Sequence, residues 1–167
     1  YNFITFGQKA YNGVAILSKY PVSDITYNLP NFEQDKQSRY LEGFINLDKK
    51  GIRIASIYAP NGNPISSEKY NYKIEWLKKF SNHAKRLLEF EEYTFLGGDY
   101  NICPKSFDAA DENLICDDAI YTKDVKNLYK NIINLGYYDA FRSINLDIPG
   151  FTYWDYGQSF KNDIGVR

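Results

Sequence analysis

The feature that most constrains this chain is a long amphipathic stretch set between short apolar runs. From about Ser67 to Glu91 the apolar residues Tyr70, Ile74, Leu77, Ala84 and Leu88 recur at spacings of three, four or seven. That pattern is one face of a long helix, with Lys78, Lys79, Lys85 and Arg86 mostly outside it. Ser66 and Ser67 are candidates for its start, and His83, beside the solvated side, is expected at the surface. Such a face must be buried against something, and the neighbouring runs read as strands. Gly13 to Ser18 is a short apolar run bounded by turn residues, and Pro21 follows it. Tyr40 to Leu47 and Ile52 to Tyr58 flank Lys49-Lys50-Gly51 and read as a β-hairpin. Tyr93 to Leu96 reads as a buried strand that Gly97 and Gly98 end. Val125, Leu128, Ile132 and Leu135 mark a second amphipathic helix, stopped by Gly136. Phe151 to Tyr156 reads as an aromatic strand in which Tyr153 and Trp154 face opposite ways, so only one of them is expected in the core. This order of elements indicates an α/β fold, a mixed sheet with covering helices.

With 167 residues the chain has room for one domain, 1–167, with a real core. Its formal net charge of −1 creates no global field for nucleic acid, so any polyanion would meet a local patch. No run approaches the roughly 18 apolar residues of a membrane span. Cys103 and Cys116 are too few for a disulfide framework, and their spacing fits no zinc motif, which points to the reducing cytoplasm. Cys103 is expected to be a small buried residue. The sequence contains no Met, so an internal piece of a longer protein is expected.

The chemistry concentrates at Gly97-Gly98-Asp99-Tyr100-Asn101. In extended backbone residues i and i+2 share a side, so Asp99 and Asn101 are expected to project together from the carboxyl end of a strand. Open α/β sheets put their ligand sites there. A carboxylate and an amide can share a hard cation, orient water and hydrogen-bond a phosphate oxygen. The competing reading is an Asx-rich turn whose side chains cap their own backbone.

Three further stretches accompany this motif. They are Gly7-Gln8-Lys9, Tyr58-Ala59-Pro60-Asn61-Gly62-Asn63-Pro64 and Phe151-Thr152-Tyr153-Trp154-Asp155-Tyr156. Together with Asp139-Ala140-Phe141-Arg142, and in this order, they resemble the exonuclease III type of apurinic/apyrimidinic endonuclease, of the endonuclease/exonuclease/phosphatase superfamily. The resemblance implies a two-sheet α/β sandwich with helices on the outer faces, of which this chain is the central portion. It implies a Mg²⁺- (or Mn²⁺-) dependent DNA phosphodiesterase of base-excision repair, cutting 5′ to abasic sites. Exonuclease activity in the 3′–5′ direction and 3′-phosphatase activity would accompany it. The partner would be double-stranded DNA with abasic sites or 3′ ends, met by a monomer without a membrane.

By the same resemblance Tyr58 would bond the scissile phosphate. Asp99 would position or activate the attacking water or protonate the leaving oxygen, and Asn101 would hold the phosphate. Asp99 and Asn101 would also be the metal ligands. Asn61 would contact phosphate, and Tyr153 and Val166 would wall the pocket for a base-less sugar, which puts Trp154 in the core. Local basic contacts to the DNA backbone are expected from Lys9, Arg39 and the end from Lys161 to Arg167. The family's opening strand with its metal-binding glutamate, and its closing Asp-His pair, have no counterpart here, so this chain alone is expected to have little or no activity. Two alternatives stay open: a superfamily phosphatase or lipid phosphodiesterase, and a non-catalytic DNA-binding fragment.

Overall fold

The computed structural model describes residues 1–48 and 50–167; Lys49, in the expected hairpin loop, lies outside the described residues. In chain order the elements are β1 (Asn2–Gly7), β2 (Gly13–Ser18), β3 (Val22–Tyr27), β4 (Tyr40–Leu47), β5 (Lys50–Tyr58), α1 (Glu68–Leu87), β6 (Tyr93–Asp99), α2 (Lys123–Asn134), α3 (Ala140–Ile144) and α4 (Gln158–Lys161). They fall into two compact units. The first comprises Tyr1–Pro60 and Trp76–Tyr100, and the second Asn61–Glu75 and Asn101–Arg167. No described helix is long and apolar enough to cross a membrane.

The first unit holds both sheets. β1 and β2 form an antiparallel pair, and the larger sheet runs β3-β4-β5-β6. Its first two pairings are antiparallel and the last, β5 with β6, is parallel. Period-two alternation decides which sides meet. β2 buries Val14, Ile16 and Ser18 and exposes the residues between them. Val14 and Ile16 pack with Leu41 of β4, joined by Ile4, Phe6, Val22, Ile54 and Tyr58, and this is the layer between the sheets. The other side of the large sheet meets α1 from Trp76 onward. The Tyr40 ring lies 6.2 Å from that of Phe80 and 5.4 Å from that of His83. Trp76, Leu77, Phe80, Ala84 and Leu87 are all fully buried. At about 1.5–3 kcal/mol for each large side chain, this stripe fixes the helix to the sheet. The two-sheet arrangement with an outer helix matches the fold expected from the sequence.

Two expectations fail here, besides the burial expected of β6, whose Tyr93 and Phe95 are exposed. His83 is buried, not at the surface, because its Nε2 sits 2.7 Å from Oε2 of Glu42, a carboxylate facing the helix from the middle of β4. Tyr40 Oη donates to that same carboxylate, and Arg53 Nη1 donates to its other oxygen at 3.0 Å. A buried carboxylate demands partners, and the ring is one of them. The second failure lies in the other unit. Phe151 to Tyr156 is not a strand; only Tyr153 forms a bridge there. Trp154 is half-buried rather than core, edge-on to Phe151, with Nε1 donating to Asp163 at 2.9 Å.

In the second unit α2 is capped by Thr122, whose hydroxyl accepts from Val125 N, and it buries Val125 and Ile132 as its period predicts. Beside it Cys103, Ala109 and Ile115 form a small core with Ile120, Tyr121 and Val166. Asp108, wholly buried, accepts from Arg142 Nη2. Arg142 also donates to the carbonyls of Asn145, Leu146 and Ile148, so a single guanidinium shapes the loop after α3.

Candidate active site

Tyr58 and Asp99 end neighbouring strands and stand directly opposite each other in the parallel register of β5 and β6. The pairing extends one residue further, with Ala59 N donating to Asp99 O at 2.8 Å. A glycine makes it possible. Gly98 has φ +143°, and a Cβ there would fall 2.0 Å from Ile57 O. β6 therefore runs through Gly97 and Gly98 to Asp99, whereas the sequence suggested that the glycines end it. Asp99 is exposed and Tyr58 half-buried, its ring in the layer between the sheets. Arg39 fixes that phenol. Its guanidinium lies 4.8 Å from the Tyr58 ring centre, Nη1 donates to Tyr58 O at 3.1 Å, and Nε donates to Gln37 at 2.8 Å. Lys9 is exposed in the turn between β1 and β2, where its neighbour Gln8 accepts from Ser38 N at 2.9 Å.

The remaining candidates belong to the second unit. Asn101 has φ 50°, a left-handed backbone, so the extended alternation that would align it with Asp99 does not continue. Asn61 is exposed; its Oδ1 accepts from Asn63 N at 3.1 Å, which leaves the amide NH₂ as the end that can meet an acceptor. Tyr153 and Val166 are brought together, exchanging main-chain hydrogen bonds of 2.9 Å in both directions. Gly165 allows this close approach, since a Cβ there would fall 2.6 Å from Phe151. Val166 also bridges Ala109, and Arg167 N donates to Asp108 O at 2.8 Å. Arg167 in turn bonds Asp139. Burial alone would raise the Asp139 pKa, but the bonds from Arg167, Tyr129 and the Arg142 main chain hold it below its ordinary value. Cys103 is buried, as expected, and burial and the nearby Asp108 charge push its thiol up to about 12.

The model of the endonuclease/exonuclease/phosphatase family matches residues 1–157. The chain belongs to that family. It is similar to a DNA-(apurinic or apyrimidinic site) endonuclease of Dictyostelium discoideum, 25% identical over 170 residues, in a match covering 100% of this chain and 46% of that protein. Its fold is similar to that of an AP endonuclease from Archaeoglobus fulgidus, with a TM-score of 0.91 and 28% identity over 100% of this chain and 64% of the other. A 3′ phosphatase from Neisseria, solved bound to a product DNA hairpin, gives a TM-score of 0.91 and 27% identity over 99% of this chain and 63% of the other. The chain thus spans less than half of the first relative and under two thirds of each solved one.

For a member of this family the donor set is spare. Among the described residues no three His, Cys, Asp or Glu side chains stand together as a metal site. Asp99 offers one exposed carboxylate, which suits only a cation that keeps most of its waters, as Mg²⁺ does. Of the two expected ligands, Asp99 closes β6 and Asn101 follows it with a left-handed backbone. Two features of this region escaped the sequence reading. One is the ring contact by which Arg39 fixes Tyr58. The other is Lys73, a cation lying between Tyr70 and Leu77 on the apolar stripe of α1, a placement visible in the sequence itself.

Proposed function

We propose that the full-length protein is a divalent-cation-dependent DNA phosphodiesterase of base-excision repair that cuts 5′ to abasic sites. The observation that carries this reading is the register of Tyr58 against Asp99 at the carboxyl ends of two parallel strands. The likeness to an AP endonuclease supports the substrate class. Hydrolysis of a phosphodiester needs a held water and donors to the phosphate oxygens. The exposed Asp99 carboxylate holds and orients the water. Tyr58, its ring immobilised by Arg39, donates its hydroxyl hydrogen to a non-bridging oxygen, and the Asn61 and Asn101 amides donate in the same way. When bound, Mg²⁺ (or Mn²⁺) would take Asp99 as an oxygen ligand and neutralise charge on the phosphate. Tyr153 and Val166 would wall a flipped base-less sugar, and Lys9 would contact a backbone phosphate. Both cysteines are free thiols, which suits a reducing cytoplasm. A second reading, 3′-phosphatase activity at the same centre, is favoured by the likeness to the Neisseria enzyme.

The test uses the full-length protein with a duplex carrying one abasic site and a duplex ending in a 3′-phosphate, each with Mg²⁺ and with EDTA. Incision at the abasic site that stops in EDTA is expected, and Asp99→Ala should lower kcat by roughly 100-fold or more without moving the melting temperature. Release of phosphate from the second duplex with the first left intact would transfer the reading to the phosphatase. Normal rates from Asp99→Ala would remove Asp99 from the centre.

A further inference from the structure

Lys73 is wholly buried in α1, where an ammonium group without partners would be costly. Its Nζ donates to two main-chain carbonyls, Asn61 O at 2.9 Å and Asn101 O at 2.6 Å. Those are the two amide residues of the candidate site, one following β5 and the other following β6. The lysine stem is a template as well as a tether. Gly62 has φ +90°, and a Cβ on it would fall 2.5 Å from Lys73 Cδ and 3.2 Å from both Lys73 Cβ and Ala119 Cβ. The loop therefore lies on the stem at a distance that only glycine allows. From the other side Asn63 Oδ1 accepts from Ala119 N at 2.9 Å. The carbonyl of Asn101 belongs to a left-handed residue, φ 50°, which a charged donor 2.6 Å away helps to hold.

We propose that Lys73 is a positioning residue of the phosphodiesterase, a clasp that sets the Asn61 and Asn101 amides relative to each other before substrate arrives. The proposal rests on the reading given under Proposed function. Lys73 is too deeply buried to touch a phosphate, so it acts through the two loops. Fixed donors stabilise developing charge without reorganising during reaction, and a displacement of about 1 Å is enough to cost about 100-fold in rate.

The experiment compares Lys73→Met and Lys73→Arg in the full-length protein, by steady-state incision of the abasic duplex and by amide hydrogen exchange. For Lys73→Met, kcat should fall about 100-fold while KM stays within about threefold, the pattern of an interaction that serves the transition state. Exchange should rise about tenfold or more in residues 61–63 and 101–103 alike, while β4 and β5 keep their protection. Lys73→Arg keeps the charge and the donors and should recover most of both losses. If Lys73→Met does not fold, Lys73→Gln replaces it, with the same expectations. Wild-type kcat with unchanged exchange overturns the clasp, as does loosening of only one loop or an Arg variant no better than Met. A wild-type protein that leaves the duplex intact overturns the functional reading instead, and the exchange pattern then decides the clasp by itself.

Discussion

Replacing Gly98 by alanine tests whether the β6 glycine is what brings Asp99 beside Tyr58. The substitution carries two separate costs. At φ +143° the backbone lies where side chains rarely go, which costs about 1–3 kcal/mol. The new Cβ would meet main-chain atoms of Ile57 at 2.0, 2.7 and 2.8 Å, and overpacking against backbone that cannot rotate away adds about 1–3 kcal/mol. The sum, about 2–6 kcal/mol, is a large part of the 5–15 kcal/mol typical of a domain. Gly136 separates the two costs, because it has φ +119° with nothing within 4 Å of its would-be Cβ. Gly136→Ala should therefore show the backbone cost alone. The assay is urea unfolding of the two variants beside the parent, at slopes of about 1–3 kcal/mol per molar. Gly98→Ala should lose about 1–3 kcal/mol more than Gly136→Ala, and with it the incision activity. Equal midpoints for the two variants, or full activity from Gly98→Ala, would refute the argument from close approach.

Two other outcomes follow from burial. Trp76, 1% exposed and stacked 5.5 Å from Phe80, should cost about 3–5 kcal/mol when cut to alanine, against about 1–2 kcal/mol for the half-buried Trp154; melting temperatures in the reverse order would contradict the packing. Glu42 governs acid stability. Its burial alone would raise its pKa, but the bonds from His83 and Tyr40 and the His83 and Arg53 charges hold it below the ordinary 4.5. A folded pKa below the unfolded one stabilises above the unfolded value, and that stability drains away as pH falls through the folded value. Glu42→Gln should thus cost about 1–3 kcal/mol at neutral pH and flatten the loss of stability below pH 4.5. Unfolding curves with the parent's acid slope would count against it.

The sequence disclosed those elements whose periodicity is local. The apolar run of Gly13 to Ser18 and the helical spacing of Val125 to Leu135 each appear as the elements expected there. β1 and β3 were silent for identifiable reasons. β1 leaves Phe3 73% exposed, and β3 is broken by an irregularity between Ser23 and Thr26 with Asp24 at φ 48°. Neither shows a clean two-residue pattern. The aromatic run at Phe151 misleads because rings favour strands on average, while here Gly165 lies against Phe151 and only Tyr153 bridges to Val166. His83 was misplaced because its partner lies 41 residues away, and no helical spacing can announce a carboxylate on a strand. Asp99 and Tyr58 were legible as residue types at strand ends. The glycine that puts them in register was read only as punctuation.

The cluster around Glu42 has a consequence for how relatives of this chain can diverge. Tyr40, Glu42, Arg53 and His83 share one buried carboxylate, and Arg53 also donates to Glu92 at 2.6 Å. Losing any one member strands the charge or donor that faced it, whereas replacing the whole group with apolar side chains can be neutral or better. Intermediate sequences are the costly ones. These four positions, spread over two strands and a helix, are therefore bound to change together or not at all, and they form a single heritable unit that the linear order of the chain conceals.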